Sequence, residues 1–317
     1  MWRGDHYLAA WTEINTRFGV GIGRFDGQGR LLDGPGQYFP TAARPSIATD
    51  GDGALVGING ELRLIHVAHD GTTTVLPIAD RYASADVTWT GREYAFCSEK
   101  LIGTVSADGW TMIKAGAEAI GGDCDITWTG TQYAVLWVEW GLCFPACYGA
   151  PPMSIYAQAY SRNLSPLGAP VLLAGPNVAQ YGSEFVYHTA SAGDRTLVVW
   201  VTYSGEIRGL RIAHPGTLLD PVQGFLIGDA IALSSIHVEG DHWVVHSGPD
   251  TWTVGRDATV GARVRKYPFV GERAHVIAVP GGPAPLLIHQ TLPGAAAQTH
   301  GLAGHFDLLP KRRTARP

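Results

Sequence analysis

The chain is a succession of short apolar runs separated by glycine-containing turns, and no stretch of useful length has a helical period. The clearest runs are Leu197-Val198-Val199-Trp200-Val201, "YLAAW" from Tyr7, "YAVLW" from Tyr133 and "WVVH" from Trp243. They are apolar almost without alternation. A strand wetted on one face alternates apolar and polar positions, whereas a strand covered on both faces need not. These runs therefore predict strands held between two neighbours. A shorter β-rich run and a turn precede each of them. A third strand, a tight turn and a fourth strand follow, as in "GRFDGQGRLL", "HVAHDGTTTVL", "TVSADGWTMI" and "RIAHPGTLL".

The unit recurs. "VTWTGREYAF" begins at Val87 and "ITWTGTQYAV" at Ile126, 39 residues later. Trp89, Gly91 and Tyr94 match Trp128, Gly130 and Tyr133, and also Trp2, Gly4 and Tyr7. Glycine suits the turn because the chain there needs a backbone angle other residues resist. Degenerate copies start at Ile47, Phe185, Ile236 and Val276, which makes seven. Anchors at 47, 87, 126, 186, 236 and 276 lie 40, 39, 60, 50 and 40 residues apart, the spacing of a blade or solenoid unit. Four antiparallel strands per copy predict an all-β fold, a seven-bladed β-propeller over residues 1–310, followed by a basic, disordered tail over 311–317.

The repeat resembles a bacterial propeller repeat of the Val-x-Trp-x-Gly-x-x-Tyr-Leu-Val-Val-Trp type, often found in secreted or surface proteins. The resemblance implies a fold and not an activity, because such propellers host many functions. Only Met1 precedes Trp2, so the first strand of the first blade is truncated as written. Either the ring closes imperfectly or the natural chain extends upstream, where a signal peptide or a further domain would lie.

Composition narrows the partners. Of 317 residues, 45% are hydrophobic and only 16% charged, which favours a folded globule over a disordered chain. A net charge of −5 excludes a broad basic surface, so no nucleic-acid partner is expected. No apolar run approaches the roughly 18 residues needed to span a bilayer as a helix. No cofactor or metal is expected either. His-Glu-x-x-His, Gly-x-Ser-x-Gly and phosphate-loop motifs are all missing from the sequence. His237, His242 and His246 lie on strand-like runs, where residues four apart stand about 13 Å from each other and cannot share one ion.

Four cysteines add a constraint. Cys97 ends the second strand of the third blade, and Cys124 stands just before the first strand of the fourth. Second strands end where first strands begin, so both lie on one rim and a bridge between adjacent blades is predicted. Cys143 and Cys147 sit in the insertion "WGLCFPACYGAPP" and could close a small loop. Free buried thiols and a four-thiolate zinc site are the alternatives; zinc arms usually read Cys-x(2–4)-Cys on both sides, and only one does here. Disulfides would place the protein outside the cytosol, extracellular or on a cell or virion surface. The same insertion carries Trp140, Phe144 and Tyr148, a rigid aromatic contact surface if the loop is stapled.

Acids gather where first strands begin: Asp86, Asp123, Asp125 and Glu184, with His275 in the corresponding place in the last copy. Glycosidases need two carboxylates flanking a sugar, so Asp86, Asp125 and Glu184 are the candidates for a hydrolase. The bland alternative is that they hydrogen-bond nearby amides. "VSADGWTM" from Val105 loosely resembles the Asp-box turn of sialidases, which is structural in any case. The functional expectation is a non-enzymatic recognition scaffold that contacts a protein or glycan through rim loops. The alternatives are a glycan-processing hydrolase with acids at the channel mouth and a structural component of a larger assembly such as a virion.

Overall fold

A computed structural model describes residues 6–13, 19–26, 30–33, 36–40, 45–58, 63–76, 86–98, 101–107, 112–116, 124–140, 153–175, 180–181, 184–185, 187–202, 204–214, 216–229, 235–247, 250–265, 274–277, 286–290 and 299–303. They contain strands and no helix. The first sheet joins β1 (Tyr7–Glu13), β2 (Gly19–Phe25) and β3 (Gln37–Phe39). The second joins β4 (Pro45–Thr49), β5 (Ala54–Ile58), β6 (Arg63–Val67) and β7 (Thr73–Leu76). The third joins β8 (Asp86–Trp89), β9 (Glu93–Ser98), β10 (Leu101–Ser106) and β11 (Met112–Gly116). The fourth joins β12 (Cys124–Trp128), β13 (Tyr133–Trp140), β14 (Met153–Tyr160) and β15 (Val171–Ala174). A ribbon of β16 (Gln180–Tyr181) and β17 (Glu184–Phe185) follows. The fifth sheet holds β18 (Tyr187–Ala192), β19 (Arg195–Val201), β20 (Glu206–Ala213), β21 (Thr217–Leu218) and β22 (Phe225–Asp229). The sixth holds β23 (Ser235–Glu239), β24 (His242–Ser247), β25 (Asp250–Val254) and β26 (Val264–Arg265). The last holds β27 (Ala274–Ile277), β28 (Leu286–Gln290) and β29 (Thr299–Ala303).

Every described strand pairing is antiparallel, and apart from β22, which pairs with β20, neighbours follow chain order, so the sheets are meanders. Not every sheet has the four strands expected. The first and last show three among the described residues. In the first, β1 carries Tyr7 and so occupies the place of a second strand, in line with the short first copy. The fifth has five because its outer strand is interrupted: β21 pairs with Ile212 and Ala213, and β22 with Glu206 to Gly209. Pro221, which has no amide hydrogen to donate, lies in the interruption, and the chain turns back through positive φ at Gln223 (80°) and Gly224 (61°).

Successive first strands touch: β4 meets β8, β8 meets β12, β12 meets β18, β18 meets β23 and β23 meets β27, while β1 meets β4. Second strands lie one step out and are covered on both faces, as their composition predicts. On β19, Leu197, Val199 and Val201 pack towards the sixth sheet with Trp243 and Trp252. Val198 and Trp200 pack the other way, towards the fourth sheet with Leu136 and Ile155. Five such clusters fill the seams from the first sheet to the sixth. Each Leu or Val so covered contributes about 1.5–3 kcal/mol relative to exposure. One polar tie reinforces the fifth-to-sixth seam. Arg211 forms a two-pronged ion pair with Asp220 at 2.6 Å, both side chains about nine-tenths buried, and it also donates to the Arg256 carbonyl of the sixth sheet.

The two best copies of the repeat fold alike. The Trp89 and Tyr94 rings lie 4.7 Å apart at 55°, and those of Trp128 and Tyr133 lie 4.8 Å apart at 56°. In both, a threonine closes the turn: Thr90 N donates to Glu93 O and Thr129 N to Gln132 O, each at 3.0 Å. Gly91 and Gly130 sit at φ 86° and 95°, which explains the invariant spacing of Gly after Trp.

Candidate functional site

Where the first strands begin, their opening side chains converge. Ser46 on β4, Asp86 on β8, Asp125 on β12, His188 and Thr189 on β18, and Ser235 on β23 line one polar cavity of about 300 Å³. Along β8 and β12 the alternation of a strand sends Asp86 and Asp125 inward, while Val87 and Ile126 pack into the seams.

Asp86 is the hub of the bonding. One carboxylate oxygen accepts from Ser46 Oγ on the sheet before it. The other accepts from the Ile126 amide on the sheet after it, at 2.7 Å. Ser46 Oγ also accepts from Val87 N at 3.2 Å. Asp125 Oδ2 accepts from Thr189 Oγ1 of the fifth sheet at 3.0 Å. Burial, with the Asp86 charge and side chain beside it, pushes Asp125 well above the usual carboxylate range. A second tier lies beside it: Thr127 and Ser191 hydroxyls are 3.1 Å apart, and Ser191 and Thr196 hydroxyls 2.7 Å. The result is a belt of side-chain hydrogen bonds that ties sheets two, three, four and five together at the inner radius.

A covalent link crosses the same place. Cys97 and Cys124 form the predicted disulfide, with Cα atoms 6.2 Å apart. Cys97, on β9, is the register partner of Asp86 on β8, and Cys124 directly precedes Asp125 on β12, so the bridge ties the third sheet to the fourth beside the two acids.

Of the other expected site residues, Trp140 closes β13 opposite Met153. Cys143, Phe144, Cys147 and Tyr148 lie outside the described residues, as does Asp123. Glu184 is on β17, paired with Tyr181 in the two-stranded ribbon. His275 is on β27, opposite Ile288. Sequence reasoning passed over Ser46, Thr189 and Ser235. Ser46 precedes Asp86 by 40 residues and immediately precedes its own anchor, as Asp86 and Asp125 precede theirs. Aligning the residue before each anchor would have found Ser46 and Ser235. Pairing across β23 and β24 also brings together two histidines that spacing along one strand had kept apart: His237 Nδ1 and His246 Nε2 lie 3.2 Å from each other, with stacked rings. Among the described residues no group of three or more His, Cys, Asp or Glu side chains could hold a metal ion.

Neither a family model nor a curated protein matches the chain. Solved structures do resemble it. Virginiamycin B lyase from Staphylococcus aureus aligns with a TM-score of 0.51 at 10% identity, over 90% of this chain and 92% of that one. The β-propeller domain of Cps50 (Swd1) from Myceliophteria thermophila aligns with a TM-score of 0.50 at 12% identity, over 90% of each chain. AztD from Citrobacter koseri gives a TM-score of 0.50 at 11% identity, over 89% of this chain and 76% of that one. At such identities the likeness is one of fold, and the fold is a β-propeller.

Proposed function

We propose that this protein is a non-enzymatic recognition scaffold, a seven-bladed propeller over residues 1–310 that presents one rim to a protein or glycan partner. The bonding of Asp86 and Asp125 carries this reading. Between them the two carboxyls are tied to three strands, by Ser46 Oγ, the Ile126 amide and Thr189 Oγ1. Oxygens already held by strands of the neighbouring sheets are not free to flank a glycosidic bond, as a glycosidase's two carboxyls must. The acids therefore serve as inter-blade ties, and the surfaces left for recognition are the rim loops. The insertion over 141–152 leaves β13 three residues beyond Trp137, the register partner of Cys124, and so departs from the rim that bears the cavity. We assign Trp140, Phe144 and Tyr148 to its contact face and Cys143–Cys147 to a second staple. The Cys97–Cys124 disulfide favours an extracellular or surface setting. Among the described residues no helix is long and apolar enough to cross a membrane.

The test uses fluorescently labelled full chain on a glycan array and on intact cells. Deleting residues 141–150 should abolish saturable binding while the far-ultraviolet circular dichroism stays unchanged. Retained binding would remove that loop from the function. Turnover on a glycoside panel that vanishes in Asp86→Asn and Asp125→Asn would instead establish the hydrolase.

A further inference from the structure

We infer that the seam between the fourth and fifth sheets is a second, separate binding site, one for a small neutral molecule with an aliphatic body and one hydrogen-bond acceptor. The seam holds a cavity of about 160 Å³. Apolar cavities near 150 Å³ are large enough to take a six-membered ring, which fixes the size of the guest.

The cavity has a cause in the sequence. On the fourth sheet Ala134 faces Ala159, and Leu136 faces Ala157. The register equivalents on the sixth sheet are Val244 with Thr253, and His246 with Thr251. Three alanines thus stand where the sixth sheet carries valine and threonine, and the missing side-chain volume is the hollow. Leu173, Ile212 and Leu218 complete its apolar wall. Among the described residues no Lys, Arg, Asp or Glu lines it.

The polar ends specify the guest further. Two glutamines line the cavity. Gln158 is satisfied at both ends: Nε2 donates to Gly168 O at 2.7 Å, and Oε1 accepts from the Tyr160 hydroxyl at 2.9 Å. Gln132 is 6% exposed, and its Nε2 finds no acceptor among the described residues. A buried donor left without a partner is costly and calls for an acceptor oxygen. His214, at the fifth-sheet side, lies 3.2 Å from Thr196 Oγ1. Burial lowers its pKa, partly opposed by Asp194, so the ring is neutral at pH 7. A carboxylate would find no counter-charge, and a carbonyl or hydroxyl oxygen is the matching acceptor.

The probes are cyclohexanone and methylenecyclohexane, alike in shape but differing in the acceptor, with binding to the full chain followed by ligand-observed NMR titration. Cyclohexanone should bind saturably and at least tenfold tighter than methylenecyclohexane. Gln132→Leu should bring the two affinities together, and Ala159→Leu, which fills the hollow, should abolish both. The inference is overturned if neither probe binds the wild type saturably, if the wild type does not prefer the ketone, or if a folded Ala159→Leu binds as before. Ala157→Val serves as the filling variant should Ala159→Leu fail to fold, and the comparison on the wild type needs no variant. The rim loop plays no part, so the 141–150 deletion should bind both probes normally.

Discussion

Removing the Cys97–Cys124 bridge, through Cys97→Ala with Cys124→Ala, should cost a calculable amount of stability. The cysteines are 27 residues apart. The chain-entropy relation for a loop of that length gives about 3.5 kcal/mol. For a chain this long that corresponds to about 5 °C in Tm. Both sulfurs are buried among Ala95, Ile126 and Val135, so their loss also leaves a small void. The two contributions separate in urea. A void lowers the midpoint at constant m, whereas releasing a cross-link expands the unfolded chain and raises m. Urea unfolding of the double variant against the wild type should therefore show both a lower midpoint and a larger m. Substitution is preferable to a reductant, which would also reach Cys143 and Cys147. A loss below about 1 kcal/mol with m unchanged would refute the reasoning, for it would mean that the unfolded chain gains nothing from the link.

The raised pKa of Asp125 means the folded state holds a proton that the unfolded chain releases above about pH 4. Stability should thus fall as pH rises from that point towards the folded pKa, and Asp125→Asn, which keeps an acceptor for Thr189, should flatten the profile; parallel urea profiles for the two proteins between pH 4 and pH 9 would contradict this. Ala258 and Leu164 occupy the same left-handed turn position at φ 69° and 64°, but Leu164 is buried and Ala258 is not. Ala258→Gly should stabilise by up to about 1 kcal/mol by relieving backbone strain, whereas Leu164→Gly should destabilise by about 2 kcal/mol or more through lost packing, as read by thermal melts. Arg211→Ala should cost about 3 kcal/mol because it strands the buried Asp220 carboxylate; a loss under 1 kcal/mol in urea would show that water reaches Asp220 freely.

Much of the fold was legible because burial on two faces leaves a mark on composition. Leu197 to Val201 could be read as an interior strand since alternate side chains feed two different seams, both apolar at this strand. The Trp-x-Gly-x-x-Tyr pattern was legible because one turn geometry and one ring contact recur. The Cys97–Cys124 pair was legible, beside free thiols and a zinc site as alternatives, because second strands end on the rim where the first strand of the next copy begins. What escaped notice were the particular partners across repeats: that the amide Asp86 accepts belongs to Ile126 of the next sheet, or that Thr189 meets Asp125. Such contacts depend on the rotation from one sheet to the next, and the spacing of motifs along a chain carries no record of that angle. The interrupted outer strand at Pro221 was equally hidden, because "RIAHPGTLL" ends before the chain turns back to pair again.

The three alanines of the fourth sheet have a bearing on how duplicated units diverge. Ala134, Ala157 and Ala159 sit in a backbone whose register matches that of the fatter sixth sheet. A fold assembled from near-copies can therefore hollow out one joint by trimming methyl groups while its other joints stay filled. New recesses become a matter of a few point changes, and the same excavation is open to an engineer at any joint where a valine or threonine stands in those rows.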